Sequence, residues 1–292
     1  MIVIDLDPNI AIGPITLAWH GIFTAVGIFF GVWLSTKLVM RRVSEADANA
    51  VAFWGVVGGI IGARIFHVVD CWTGCTGIPG GYAANPLLIP QIWTGGIAVW
   101  GAAIGGVLGG LIVAVRRGTV PIGFGADAAA PGIALGFAIG RIGDIINGEH
   151  HATPCTAPLG ICVEYTNPAT LGQSPQFPTG DFRNSGGPVH LAVGYDMIWN
   201  FLAVGWTLAL RNRGLPEGLI FWLWLAWYAI GRIALGFLRL GEPTYAFGLR
   251  EDQAIGVLVL FAALPMILRL WLNLSPSARR HADGSRSSAG PA

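Results

Sequence analysis

The sequence runs to 292 residues, of which 53% are hydrophobic and only 11% charged, with a formal net charge of +1. A soluble domain carries about 25% charged residues, so this composition excludes a soluble enzyme, a disordered chain and a nucleic-acid-binding module. Mean hydropathy is +0.61, and the 43 Gly and 12 Trp are residue types enriched in membrane helices and at their ends. A polytopic membrane domain remains, with room for roughly six to eight spans of about 20 residues.

In chain order, seven spans are expected at Leu17–Val39, Val51–Val69, Gly95–Val115, Ile122–Ile146, Leu191–Leu210, Gly218–Leu238 and Asp252–Leu274. The fourth is the weakest, because Asp127, Arg141 and Asp144 lie inside it. The first 16 residues hold Asp5 and Asp7 and neither Lys nor Arg, so no cleavable signal peptide is expected there. Basic residues set orientation. Lys37, Arg41, Arg42, Arg116, Arg117, Arg211, Arg213, Arg279, Arg280 and Arg286 fall on one side, against Arg183, Arg239 and Arg250 on the other. The expected fold is all-α: seven transmembrane helices, the N-terminus outside and the C-terminus cytoplasmic. One transmembrane domain covers residues 1–274, followed by a disordered tail over 275–292, rich in Ser, Ala, Arg and Gly.

All four cysteines then lie outside, Cys71 and Cys75 after the second span and Cys155 and Cys162 after the fourth. That compartment is oxidising, so one or two disulfides are expected, and the three possible pairings stay open. A Cys-x3-Cys pair is also a metal-ligand spacing, with His150 and His151 beside Cys155 in its favour, but no metal is expected. The loop Asn147–Val189 has no clear period and reads as a small external cap. The Gly-x3-Gly spacings within Gly101–Gly110 point to close helix packing.

Arg64, Arg141 and Arg232 fall within the second, fourth and sixth spans. A charge at mid-bilayer costs about 2.5–3.5 kcal/mol on insertion scales, so each needs a partner such as Asp127, Asp144, Glu149 or Asp196, or a hydrated cavity. Arg141 and Arg232 lie towards the outer ends of their spans and can face one cavity. Two guanidinium forks there form an anion site, since the fork binds phosphate bidentately. The natural anion joined to apolar tails is a phospholipid headgroup. Arg141, Asp144 and Asn147 are spaced by three and share a helix face, with Glu149 following at the membrane surface. His190 with Tyr195 and Asp196, and His20 near the outer end of the first span, add further polar groups at the same face.

At these residues the chain resembles the bacterial phosphatidylglycerol–prolipoprotein diacylglyceryl transferases. Gly140-Arg-Ile-Gly-Asp-Ile-Ile-Asn-Gly-Glu149 is similar to that family's Gly-Arg-x-Gly-Asn-x-x-Asn-x-Glu signature. Trp19-His20-Gly21, Gly62-Ala-Arg64, Gly95–Gly101, Asp127, Pro131, His190 with Tyr195-Asp196, Gly231-Arg232, Phe237-Leu-Arg239 and Gln253 extend the resemblance over nearly the whole chain. The departures are Asp144 where the family usually has Asn, His20 for a Tyr, Trp100 for a His, Gly236 for a Glu and Ala152 for a Gly.

The resemblance implies an enzyme of the bacterial plasma membrane; a monomer is expected, and with no P-loop, His-Glu-x-x-His or Gly-x-Ser-x-Gly motif in the sequence, no cofactor is expected. Phosphatidylglycerol would be its donor and the lipobox cysteine of a prolipoprotein its nucleophile. It would form a thioether-linked diacylglyceryl group and release glycerol phosphate. Arg141 and Arg232 would stabilise the leaving phosphate; Arg64, Asp144, Asn147 and Arg239 would contact the headgroup. A thiol of pKa about 8.5 needs a base, with His20 first, His190 second and Glu149 third. Three other readings use the same residues: an anionic-lipid transporter, an intramembrane aspartyl protease and a catalytically inactive scaffold. The absence of an inverted repeat counts against the first; against the second, Arg141 stands where a Gly-x-Gly-Asp pattern ending at Asp144 needs its first Gly, and the order of the two Asp is reversed. The His20 and Trp100 departures motivate the third.

Overall fold

A computed structural model describes residues 1–13, 15–75, 78–91, 96, 98–148, 152–155, 160–171, 187–240 and 244–273. Among them stand seven helices of 18 residues or more: α1 (Trp19–Val39), α2 (Glu45–Asp70), α4 (Val99–Arg117), α5 (Ile122–Asn147), α7 (Ala192–Leu210), α8 (Leu219–Gly236) and α9 (Glu251–Leu272), with short helices α3 (Gly81–Ala84) and α6 (Pro168–Leu171) between them. Each overlaps one expected span over most of its length. α1, α2, α5, α8 and α9 are long and apolar enough to cross a membrane. Their outward faces carry large apolar side chains such as Phe29, Trp54, Ile65 and Phe261. Water does not favour such faces and lipid does, which makes this a multi-pass membrane architecture.

The residues group into two compact units, Met1–Ser35 with Ala126–Ala292, and Thr36–Gly125. The second is built on the pairing of α2 with α4. Ser44 caps α2 by accepting from the Asp47 N–H at 3.2 Å, and Arg117 at the end of α4 lies 2.7 Å from Asp47. A methyl group added at Gly58, Gly62, Gly101 or Gly105 would strike the backbone of the facing helix. The Gly-x3-Gly spacing seen in the sequence of α4 thus meets a matching one on α2, which allows backbone-to-backbone approach. In the first unit α1 and α5 repeat the device: an added Cβ at Gly31 would lie 2.6 Å from the Gly132 carbonyl oxygen.

α7 and α8 are clamped by Trp199 and Trp227, stacked at 3.8 Å between ring centroids. Each indole N–H donates to the other residue's carbonyl, at 2.9 and 3.1 Å. The start of α8 is capped from a distance: Asp127 on α5 accepts from the N–H groups of Gly218 and Phe221, both at 2.8 Å. A buried carboxylate is thereby satisfied by the orphan donors of a helix N-terminus.

The all-α expectation needs one correction. Five short strands are present: β1 (Ile2–Ile4), β2 (Asn9–Ile12), β3 (Ile15–Ala18), β4 (Cys162–Tyr165) and β5 (Val189–His190). β1 pairs parallel with β4, β4 antiparallel with β5, and β2 with β3 as a hairpin. The described part of the expected cap is therefore a small sheet over a core of Val163, Tyr165, Val189 and Leu191, with Ile145 and Leu238 packed against it. Strands of two to four residues are too short to show a period-2 pattern, so hydropathy along the chain does not reveal them. The cysteines pair locally, Cys71 with Cys75 and Cys155 with Cys162. The tail expected over 275–292 lies outside the described residues.

Candidate active site

The spacing of Arg141 and Asp144 has the expected result: both lie on one face of α5, and Arg141 Nη1 donates to Asp144 Oδ2 at 2.5 Å. The other side of that guanidinium meets α7, where Asp196 Oδ2 is 2.7 Å from Arg141 Nε. The same Asp196 oxygen is 3.9 Å from Arg232 Nη1 on α8. Arg232 Nη2 is 3.7 Å from Asp252 Oδ2 at the start of α9, and Asp252 Oδ2 is 3.6 Å from Arg239 Nη1. At the opposite end His20 Nδ1, in the first turn of α1, hydrogen-bonds Asp144 Oδ1. One unbroken chain of polar groups results, in which carboxylates alternate with an imidazole and three guanidiniums: His20, Asp144, Arg141, Asp196, Arg232, Asp252, Arg239. All seven belong to the first unit.

The alternation has a physical cause. Asp144, Asp196 and Asp252 are 3–4% exposed, and a carboxylate taken out of water is tolerated only when paired and hydrogen-bonded. Asn200, one turn along α7, donates to both the backbone oxygen and Oδ1 of Asp196 at 2.8 and 3.0 Å. That fixes Asp196 with Oδ2 towards the arginines.

Glycines give these elements their approach. A Cβ at Gly143 would come within 2.7 Å of His20 Cα, so the bare backbone of α5 is what lets His20 reach Asp144. The start of α1 is held by the Trp19 N–H donating to the Pro8 carbonyl at 3.1 Å. A Cβ at Gly231 would strike the Trp199 indole, and one at Gly236 would lie 2.8 Å from Asp252 Oδ1. Residue 236, a Glu in the pattern this chain resembles, therefore has no room for one here, and Asp252 supplies a carboxylate at that place.

The two central arginines are not equivalent. Arg141 is gripped at 2.5 and 2.7 Å by two carboxylates. Arg232, among the described residues, makes only the two longer ion pairs and no hydrogen bond, and its side chain is 17% exposed. A guanidinium carries five N–H donors, so Arg232 has its donors to offer to an incoming anion, with Arg141 held beside it.

The other predicted residues are placed as follows. Asn147 is buried at the end of α5 and Arg239 after the end of α8. His190 sits in the cap, its Nδ1 3.3 Å from the Tyr195 hydroxyl, which accepts from the Ile161 N–H at 2.7 Å. No described contact joins His190 to the charge chain. Arg64 belongs to the second unit. Its Nε donates to Ile89 O at 2.7 Å, Nη1 to Gly96 O at 2.8 Å and Nη2 to Leu88 O and Gln91 O at 2.5 and 3.2 Å, with the guanidinium over the Tyr82 ring. This arginine fastens the backbone of the loop that leads towards α4. Glu149, His150 and His151 lie outside the described residues.

Sequence reasoning missed Asp252, whose only signal is its position beside Gln253 at a helix start. It also missed His67, one turn before Cys71. His67, Cys71 and Cys75 bring ligand-type atoms within 4.8 Å of one another, with both sulfurs engaged in the disulfide.

Residues 9–269 match the family model described as prolipoprotein diacylglyceryl transferase. The chain is similar to proteins named phosphatidylglycerol--prolipoprotein diacylglyceryl transferase. It is 33% identical to the one from Staphylococcus carnosus, covering 90% of each chain. The counterpart from Staphylococcus haemolyticus is 31% identical, over 95% of this chain and 93% of the other. The one from Frankia casuarinae is 32% identical over 87% of this chain, which spans only 58% of that longer protein.

Proposed function

The chain belongs to the prolipoprotein diacylglyceryl transferase family, and from that premise we propose that it transfers the diacylglyceryl group of phosphatidylglycerol to the lipobox cysteine of prolipoproteins. The thiol proton passes to a base. The sulfur attacks the glycerol carbon that carries the phosphate, and the C–O bond to phosphate breaks with its electron pair on oxygen. Glycerol phosphate then departs, leaving the thioether. The observation that carries this reading is Arg232, a cation with no hydrogen-bond partner among the described residues, set 3.9 Å from the carboxylate that also holds Arg141. Such a pair stabilises charge that develops on the leaving phosphate, and in a site with little water that contact is worth more than in solution.

In this reading Arg141 and Arg232 grip the phosphate, Asn147 and Glu149 meet the headgroup hydroxyls, and Arg239 completes the cationic side. His20 is the base of choice, with His190 and Glu149 behind it. Residues 1–274 are one catalytic domain of seven spans, N-terminus outside, as a monomer in the plasma membrane. Support for the span count comes from α4 and α7, each of 19 residues, standing where the two remaining spans are expected.

The test uses protein purified in detergent, phosphatidylglycerol and a lipobox peptide, and follows glycerol phosphate release. Release should require both the peptide cysteine and Arg141; the Arg141→Ala protein should release none above background. Lipid binding without release by the folded wild-type protein would favour the scaffold or transporter reading.

A further inference from the structure

We infer that His20 and Asp144 form a carboxylate–imidazole pair in which His20 Nε2 takes the proton from the attacking thiol, and that Asp144 is a positioning residue rather than a headgroup ligand. The inference rests on the transferase reading above. Its ground is which atoms meet. Asp144 Oδ1 bonds His20 Nδ1 while Asp144 Oδ2 accepts from Arg141 Nη1 at 2.5 Å. A guanidinium only donates and a carboxylate only accepts, so the ion pair with Arg141 keeps Asp144 ionised. The hydrogen between Asp144 and His20 must then come from Nδ1. Neutral imidazole has one N–H, so the lone pair lies on Nε2.

The surroundings serve this arrangement. Asp144 is 3% exposed, whereas the His20 side chain is 44% exposed: the carboxylate is sealed and the imidazole is reachable. Gly143 gives α1 its approach to within 2.7 Å of a would-be Cβ, so the backbone as well as the side chains is fitted to the pair. Among the described residues of α5, Asp144 faces His20, with Arg141 behind it. One carboxylate thus ties the base to the phosphate-gripping arginine, which fixes their separation.

Asp144→Asn is the informative change. Arg141 can only donate, so the new amide must turn its oxygen to Arg141 and its NH2 to His20 Nδ1. That drives the imidazole proton to Nε2 and removes the base without removing any atom of the ring. The measurement is nitrogen NMR of histidine-labelled wild-type protein in detergent, at a pH where the imidazole is neutral, with His20→Gln to assign the signal, together with steady-state kinetics. Wild type should carry its proton on Nδ1 and Asp144→Asn on Nε2. The variant's kcat should fall by roughly 10²- to 10⁴-fold with KM for phosphatidylglycerol within about twofold, the range general-base and wrong-tautomer losses span. A wild-type proton on Nε2, or an Asp144→Asn protein whose KM rises with kcat preserved, would overturn the inference while leaving the transferase reading in place. Because the wild-type spectrum needs no variant, the inference stays open to refutation even if Asp144→Asn fails to fold. Absence of glycerol phosphate release by wild type would instead defeat the transferase reading, and with it the role of His20 as base.

Discussion

Arg232 lies between Asp196 and Asp252 at 3.9 and 3.7 Å, nearer to ion-pair than to hydrogen-bond distance. Such slack suits a residue that must grip a ligand, because the protein's own carboxylates do not saturate it. Arg232→Ala should lower kcat of glycerol phosphate release by about 10²- to 10³-fold, the usual loss for a transition-state donor. Arg232→Lys should recover little of it, since a point charge lacks the fork; full recovery would mean that charge alone is needed. Asp196 has the opposite role. It neutralises Arg141 directly and Arg232 at longer range, so Asp196→Ala takes one carboxylate from each and leaves Arg141 to Asp144 and Arg232 to Asp252. Removing one partner of a buried pair costs about 3–5 kcal/mol, and a thermal melt in detergent should drop by several degrees. An unchanged melt would show that water already compensates these arginines. The pairing of Arg141 with Asp144 is legible in the sequence, because a spacing of three places both on one helix face. The His20–Asp144 contact is not, since it joins positions 124 apart.

At the scale of elements, glycine sets the distances. Gly58 and Gly62 on α2 face Gly101 and Gly105 on α4 with no room for a Cβ. Gly105→Leu should therefore force α2 and α4 apart at a cost of about 1–3 kcal/mol or more, as overpacking does. Gly118→Ala, where an added Cβ meets nothing within 4 Å but φ is +64°, should cost a smaller amount through backbone strain alone. Comparing the two melts separates close packing from conformational freedom. Asp127 makes another prediction. By sequence it is a candidate partner for a membrane arginine, but in the structure it accepts from the N–H groups of Gly218 and Phe221. Asp127→Ala should destabilise the protein by about 0.5–2 kcal/mol, the range for loss of a helix cap, while KM for phosphatidylglycerol stays unchanged. A raised KM would instead put Asp127 on the substrate. The helices are legible because long apolar runs with polar ends repeat over about 20 residues. The strands are not, because two to four residues carry no period.

For the whole molecule, the disulfides and the membrane make a joint prediction. Cys71–Cys75 and Cys155–Cys162 use all four cysteines. Alkylation of unfolded, unreduced protein should therefore modify none of them, and reduction should expose four. A single cysteine introduced at Ser287 should then be the sole reactive thiol. It should label from the cytoplasmic side if the orientation read from the basic residues holds; labelling from outside would invert the topology.

The sequence alone determined that the chain belongs in a membrane, where its long helices lie, and which arginines need an explanation. Those conclusions follow from transfer free energy and from spacing along a helix, both of which are local. Tertiary structure alone decided that Asp196 and Asp252 separate Arg141, Arg232 and Arg239, that Asp144 holds His20, that Asp127 caps a helix 91 residues away, and which cysteines pair. A buried charge announces that it must have a partner, because the desolvation cost is fixed by its own chemistry. Which partner it takes depends on which helices the glycines allow to touch.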